Sequence, residues 1–170
     1  FASIPHLICY SVKANSNLKI ISLLLKMGAG ADIVSGGELE RVLQVGGDPT
    51  RVAFSGVGKT IKEINDGLRS NLLMFNVESK EELDLIEKQA QALGKIAPIA
   101  VRINPNVEAK THPYVQTGQT SHKFGVCPAE AEGLYRRAAA SPHIEIRGVA
   151  CHIGAQILDV HPFLQAFDEI

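Results

Sequence analysis

The sequence has 170 residues, 45% of them hydrophobic and 21% charged, which is the make-up of an ordinary globular domain with a sizeable core. A formal net charge of −1, no tryptophan and 5% aromatic residues argue against a polyanion partner and against a base-stacking surface. No apolar run approaches the roughly 20 residues that cross a bilayer, and Cys9, Cys127 and Cys151, an odd number at no metal-ligand spacing, fit a reduced, intracellular setting.

Short β-rich runs alternate with longer amphipathic stretches along the whole chain. Residues 7–12 (LICYSV) read as a strand, followed by a helix over 18–27 that Gly28 terminates. Residues 31–34 form a second strand, and 37–45 a helix closed by Gly46 and Gly47. A third strand covers 51–54, with a helix starting near Thr60 as its N-cap. A fourth covers 72–75, and the helix after it opens at Ser79 with Glu82 three residues on, the spacing of a capping box. The fifth strand covers 98–103, and Pro98 is tolerable at its start. A long loop over 104–125 leads to a helix over 129–140, a sixth strand over 145–150, and a last helix from about His161.

Six β-α units in series, with no hairpin signal between them, predict an α/β fold with a parallel sheet. An open doubly wound sheet would carry a glycine-rich dinucleotide loop after its first strand, but Lys13-Ala14-Asn15 stands there. The expectation is therefore a partial (β/α)8 barrel, residues 1–170 forming a single domain with at least two units outside it. The opening at Phe1, close to an apolar stretch, and the stop at Ile170 inside a helical pattern read as a piece of a longer chain.

Barrel chemistry gathers at the C-terminal strand ends. There the sequence places Lys13, Asp32 with Ser35-Gly36-Gly37-Glu38, Ser55-Gly56, Asn76, Arg102 and Cys151-His152. Lys13, at the end of an apolar strand, is either an amine in a partly dehydrated mouth, primed to attack a carbonyl, or a lysine snorkelling to solvent. Arg102, inside the apolar run 99–103, needs a partner, and a barrel carboxylate such as Asp32 would serve structurally. His152 reads equally as a hydrogen-bonded core residue. No histidine spacing suggests a metal site.

Tyr10-Ser11-Val12-Lys13-Ala14-Asn15 resembles the Y-x-V-K-A-N segment of the alanine-racemase-like barrel decarboxylases. Three more stretches are similar to the diaminopimelate decarboxylase family: 30–39 (GADIVSGGEL), the loop Thr111-His112-Pro113-Tyr114-Val115-Gln116-Thr117-Gly118 with Lys123-Phe124-Gly125, and Cys151-His152-Ile153-Gly154-Ala155-Gln156. They lie in the family's order and extend over nearly the whole chain. The resemblance implies pyridoxal 5'-phosphate as cofactor, held as a Schiff base to Lys13. It implies that His152 stacks on one face of the pyridine ring and, with Lys13, serves catalysis. Asp32 and Arg102 would lie beneath the cofactor, Glu38 near the site, and Gly154 and Ala155 beside the phosphate. Lys123 would help pair two subunits of a homodimer that share an active site.

At position 155 the family usually has a serine whose hydroxyl contacts the phosphate. Its loss at Ala155 costs on the order of 0.5–1.5 kcal/mol and leaves the backbone of Gly154 and Ala155 as donors. A later glycine-rich phosphate loop, a glutamate for the pyridinium nitrogen and a C-terminal β-domain, all implied by the resemblance, lie outside residues 1–170, so these residues alone are expected to be inactive. The implied reaction is decarboxylation of meso-2,6-diaminopimelate to L-lysine, the last step of lysine synthesis, in the cytoplasm or, in a plant, the plastid. Alternatives are a barrel decarboxylase for ornithine, arginine or carboxynorspermidine, from which the 111–125 loop separates it, or a non-catalytic homologue.

Overall fold

The computed structural model describes residues 3–107 and 124–170. Six parallel strands alternate with six helices: β1 (Cys9–Ser11), α1 (Leu18–Lys26), β2 (Gly30–Ile33), α2 (Gly36–Gln44), β3 (Val52–Phe54), α3 (Ile61–Ser70), β4 (Met74–Val77), α4 (Lys80–Ala92), β5 (Ala97–Arg102), α5 (Pro128–Ala139), β6 (Ile144–Ala150) and α6 (His161–Glu169). Each new strand adds beside the last, in the order β1-β2-β3-β4-β5-β6. A doubly wound sheet reverses that order partway, whereas an unreversed right-handed series keeps its helices on one face and curls toward a barrel.

The predicted elements all form, with ends that coincide or differ by one or two residues. The largest differences are in β1, which stops at Ser11 because Val12–Ala14 form a 3-10 turn, and in β4, which reaches Val77 rather than Phe75. The starts of α2, α3 and α4 are set by serine or threonine side-chain caps. Ser35, Thr60 and Ser79 accept from the backbone N–H of Glu38, Glu63 and Glu82 in turn. At Thr60 the box closes fully, since the Glu63 carboxylate accepts from the Thr60 N–H at 2.9 Å. At Ser79 it does not close: Glu82 accepts from the Glu78 N–H instead, at 2.9 Å. Glu38 does the same with the Val34 N–H at 2.8 Å.

Period-two alternation divides every strand. Val52, Phe54, Phe75, Val77, Ile99 and Val101 point toward the helices and are buried with Leu39, Val42, Ile64, Leu68, Leu83 and Ile86 in one continuous core. Phe54 and Phe75 stack at 6.0 Å between ring centroids. Between β5 and β6 the register slips, Ile99 pairing with Ile146 but Ala100 with Gly148, so Arg147 is an extra residue. Tyr135 on α5 donates to the Gly148 carbonyl at 2.9 Å and pins this bulge. The bulge turns Ala150 toward the inner face and so aims the chain that follows, with His152, at the strand mouths. No helix among the described residues is long and apolar enough to cross a membrane.

Gly67, inside α3, is where packing overrides helix propensity. Alanine there would gain about 1 kcal/mol of propensity, but its Cβ would lie 2.7 Å from the Phe75 ring and 2.8 Å from the Leu72 methyl. Phe75 is fully buried and cannot yield. Gly67→Ala should therefore destabilise by about 1–3 kcal/mol, read as a lower denaturant midpoint for the full-length protein. A raised midpoint would show that the ring has room to move.

Candidate active site

The inner-face residues at the C-terminal strand ends enclose a cavity of about 510 Å³, within the size range of small-molecule sites. Ser11, Lys13, Asp32, Ser55, Asn76, Glu78, Arg102 and His152 all reach it. A larger trough of about 1010 Å³ runs between α2 and α3, but it lies on the outer helical surface, away from the strand ends.

Two hydrogen-bonded groups form the cavity floor. Ser11 and Asp32 are opposite each other across β1 and β2, and Ser11 Oγ donates to Asp32 Oδ2 at 3.1 Å. Ser55 Oγ donates to the other oxygen, Oδ1, at 2.6 Å, and accepts from Asn76 Nδ2 at 2.9 Å. The second group begins at Glu78, whose side chain is 2% exposed. Its carboxylate accepts from the Gly56 N–H at 3.1 Å and from Arg102 Nη1 at 3.0 and 3.2 Å. The structure thus corrects the expected partner of Arg102: Glu78 holds the guanidinium, and Asp32 is bound by hydroxyls. Register explains it. Val77 lies opposite Val101, which puts Glu78 beside Arg102, whereas Asp32 sits two strands further round.

Both Glu78 bonds use Nη1, so Nε and Nη2 of Arg102 have no hydrogen-bond partner among the described residues, while Phe124 covers the guanidinium at 5.5 Å. Asn76 Oδ1 is buried and lacks a hydrogen-bond partner. Lys13 lies one residue past Val12 in the 3-10 turn, solvent-exposed, with no hydrogen-bond or ion-pair partner among the described residues. The dehydrated mouth expected around it is therefore not formed by these six units. The turn itself is braced: Tyr10 Oη donates to the Asn15 carbonyl at 3.0 Å, and Asn17 caps α1 directly afterwards.

Burial, helped by the nearby charges of Arg102 and Lys13, holds the His152 imidazole below its ordinary value, although solvent still reaches the residue. Partial burial pushes the Cys9 and Cys151 thiols up, so both stay protonated at neutral pH and are poor nucleophiles beside an exposed amine. Glu38 lies off the cavity, capping α2. Gly154 and Ala155 follow His152 but do not line the cavity; Gly154 takes φ +140°, which a side chain would resist. Thr111, His112 and Lys123 lie outside the described residues. Glu78 is the site residue that sequence reasoning missed. The signal was there: Met74, Asn76 and Glu78 continue the period-two alternation of β4.

An amine, a flat imidazole, unengaged guanidinium donors and an orphaned buried acceptor suit an aromatic aldehyde bearing polar substituents, which is the shape of pyridoxal phosphate. The chain matches, over residues 1–170, the family of pyridoxal-dependent decarboxylases through their pyridoxal-binding domain. It is 52% identical over 169 residues to the diaminopimelate decarboxylase of Pseudomonas aeruginosa, covering 99% of this chain and 41% of that protein. It is also 52% identical to the Vibrio cholerae enzyme, covering 98% and 40%. A crystal structure of Helicobacter pylori diaminopimelate decarboxylase complexed with L-lysine superposes with a TM-score of 0.95 at 50% identity, over 98% of this chain and 42% of that one. The chain thus spans about two fifths of the length of the relatives it matches.

With its folded-state value lowered, His152 is expected to be neutral at pH 7 and to protonate only below the roughly 6.5 of a free imidazole. The sign follows: the unfolded chain takes up this proton first, so the contribution of His152 to stability is present above that value and lost as pH falls from it through the lower folded-state value. Histidine NMR titration of the protein, with His152→Gln to assign the resonance, checks this. A midpoint at or above 6.5 would contradict it.

Proposed function

The chain belongs to the pyridoxal-dependent decarboxylases, as their pyridoxal-binding domain, and on that premise we propose that it is the cofactor-binding part of an enzyme that decarboxylates meso-2,6-diaminopimelate to L-lysine. The observation that carries the proposal is the exposed Lys13 amine, without a partner among the described residues, opening onto a cavity bounded by Asp32, Arg102 and His152. Residues 1–170 are then one domain, six units of a (β/α)8 barrel, with the other units and a C-terminal β-domain supplied by the rest of the protein.

Pyridoxal phosphate, when bound, supplies an electron sink for the pair left on the α-carbon as CO₂ departs. The protein residues do the rest. Lys13 offers the amine that links to the cofactor aldehyde, and the Tyr10–Asn15 brace keeps it at the mouth. His152, uncharged at neutral pH, lays a flat ring against the cofactor. Asp32, with both oxygens already bound by hydroxyls, is held still as a fixed negative charge. Arg102, anchored through Nη1, keeps Nε and Nη2 for the bound molecule. Gly154 and Ala155 are assigned to the phosphate through their backbone, at the point where the chain leaves His152 for α6. A homodimer with a shared active site belongs to the same reading and is supported by the family membership.

Full-length protein given pyridoxal phosphate and fixed with borohydride should carry the pyridoxyl group on Lys13, and Lys13→Ala should lose it. A peptide map that places the label on Lys19 or Lys59 would overturn the assignment. With cofactor, the protein should release CO₂ from meso-diaminopimelate; release from ornithine or arginine instead would move the proposal to those substrates.

A further inference from the structure

Lys59 and Glu78 are the two charged residues buried among the described ones, at 8% and 6% exposure. Glu78 reaches the cavity and Lys59 does not. A buried ammonium is costly unless every proton is used, and here each is. Lys59 Nζ donates to the Gly56 carbonyl at 2.7 Å, the Asn76 carbonyl at 2.9 Å and Glu82 Oε1 at 2.5 Å. The Phe54 ring centroid lies 5.7 Å from the same nitrogen.

The destinations of these bonds are informative. Gly56 and Asn76 line the cavity, and the third partner leads back to it, since Glu82 Oε2 accepts from the Glu78 N–H at 2.9 Å. Glu78 in turn accepts from the Gly56 N–H at 3.1 Å and holds Arg102. Lys59, Gly56, Glu78 and Glu82 thus close a ring of hydrogen bonds. Gly56, at φ +95°, is the one residue in it whose conformation excludes a side chain.

We propose that Lys59 is a positioning residue of the cofactor cavity: by fixing Gly56, Asn76 and, through Glu82, Glu78, it sets the direction of the Arg102 guanidinium. The inference deepens the functional reading above and rests on it only for the identity of the bound molecule. Exchanging Lys59 together with Glu82 for apolar residues of similar size would leave neither charge alone, so its stability cost is confined to the Gly56 and Asn76 carbonyls and the Glu78 N–H that lose a partner. The positioning would be lost all the same.

The test is the double variant Lys59→Met/Glu82→Leu in the full-length protein, with Lys59→Met alone beside it. In the single variant, Glu82, whose carboxyl burial already pushes up, should take up a proton and leave the local charge unchanged. The first readout is the NMR titration of His152, on which Arg102, Lys13 and Asp32 act. The second is pyridoxal phosphate affinity, followed by absorbance, and the third is the unfolding midpoint.

We expect the double variant to fold, with a midpoint lowered by the loss of those three backbone hydrogen bonds. Its His152 titration should move up toward the ordinary value as Arg102 turns away, and its cofactor affinity should fall by about tenfold, the lower end of what losing an orienting partner costs at other ligand sites. An unmoved His152 titration overturns the inference, whatever the midpoint does. A double variant that fails to fold would assign Lys59 to the core and overturn it too. If the parent takes up no pyridoxal phosphate, the functional reading fails, and the His152 titration still decides this inference.

Discussion

A strand sends successive side chains to opposite faces, and in a sheet wound in one direction those faces have different fates. One meets the helices and must be apolar. The other meets the barrel interior, where it can carry polar groups only if they satisfy one another. In this chain Val52, Phe54, Phe75, Val77, Ile99 and Val101 take the first face. Asp32, Ser55, Asn76, Glu78 and Arg102 line the second. Because the polar residues stand at strand ends in register, neighbours become partners: Ser11 with Asp32, Ser55 with Asn76, Glu78 with Arg102. The site is a consequence of register as much as of residue type.

The same constraint explains which parts of the site could be read from the sequence. The starts of α3 and α4 were legible because Thr60 and Ser79 carry their own capping chemistry. Lys13, Asp32, Arg102 and His152 were legible as polar residues at the ends of apolar runs. The partner of Arg102 was not, because pairing depends on which residue stands opposite across β4 and β5. A strand boundary set two residues short left Glu78 looking like part of the turn before α4. The capping box at Ser79 misled for a related reason. Its spacing is right, but Glu82 serves the Glu78 N–H and Lys59, two partners brought to it by the fold rather than by the helix start.

Lys13 shows the opposite case, where a residue was found for a reason the fold only half supports. Strand-end placement holds, with the lysine directly after the buried Val12. Dehydration does not, since Lys13 is exposed among the described residues. What the described residues provide for Lys13 is direction: the Tyr10–Asn15 bond and the Asn17 cap fix the backbone between β1 and α1. Relatives spanning more than twice this length carry further chain that can close the mouth.

That Arg102 is held by Glu78, and not by Asp32, decides the electrostatics left for a ligand. Had Arg102 taken Asp32, both charges would cancel at the cavity floor and leave little to orient a bound molecule. With Glu78 in that role, the guanidinium is neutralised from one side through a single nitrogen and keeps two donor positions unengaged among the described residues. Asp32, bound only by the hydroxyls of Ser11 and Ser55, keeps a full negative charge near the Lys13 turn. The floor thus carries the Arg102–Glu78 pair on one side and the hydroxyl-bound Asp32 on the other. Such preorganised charge orients a zwitterionic or polar ligand without further rearrangement of the protein.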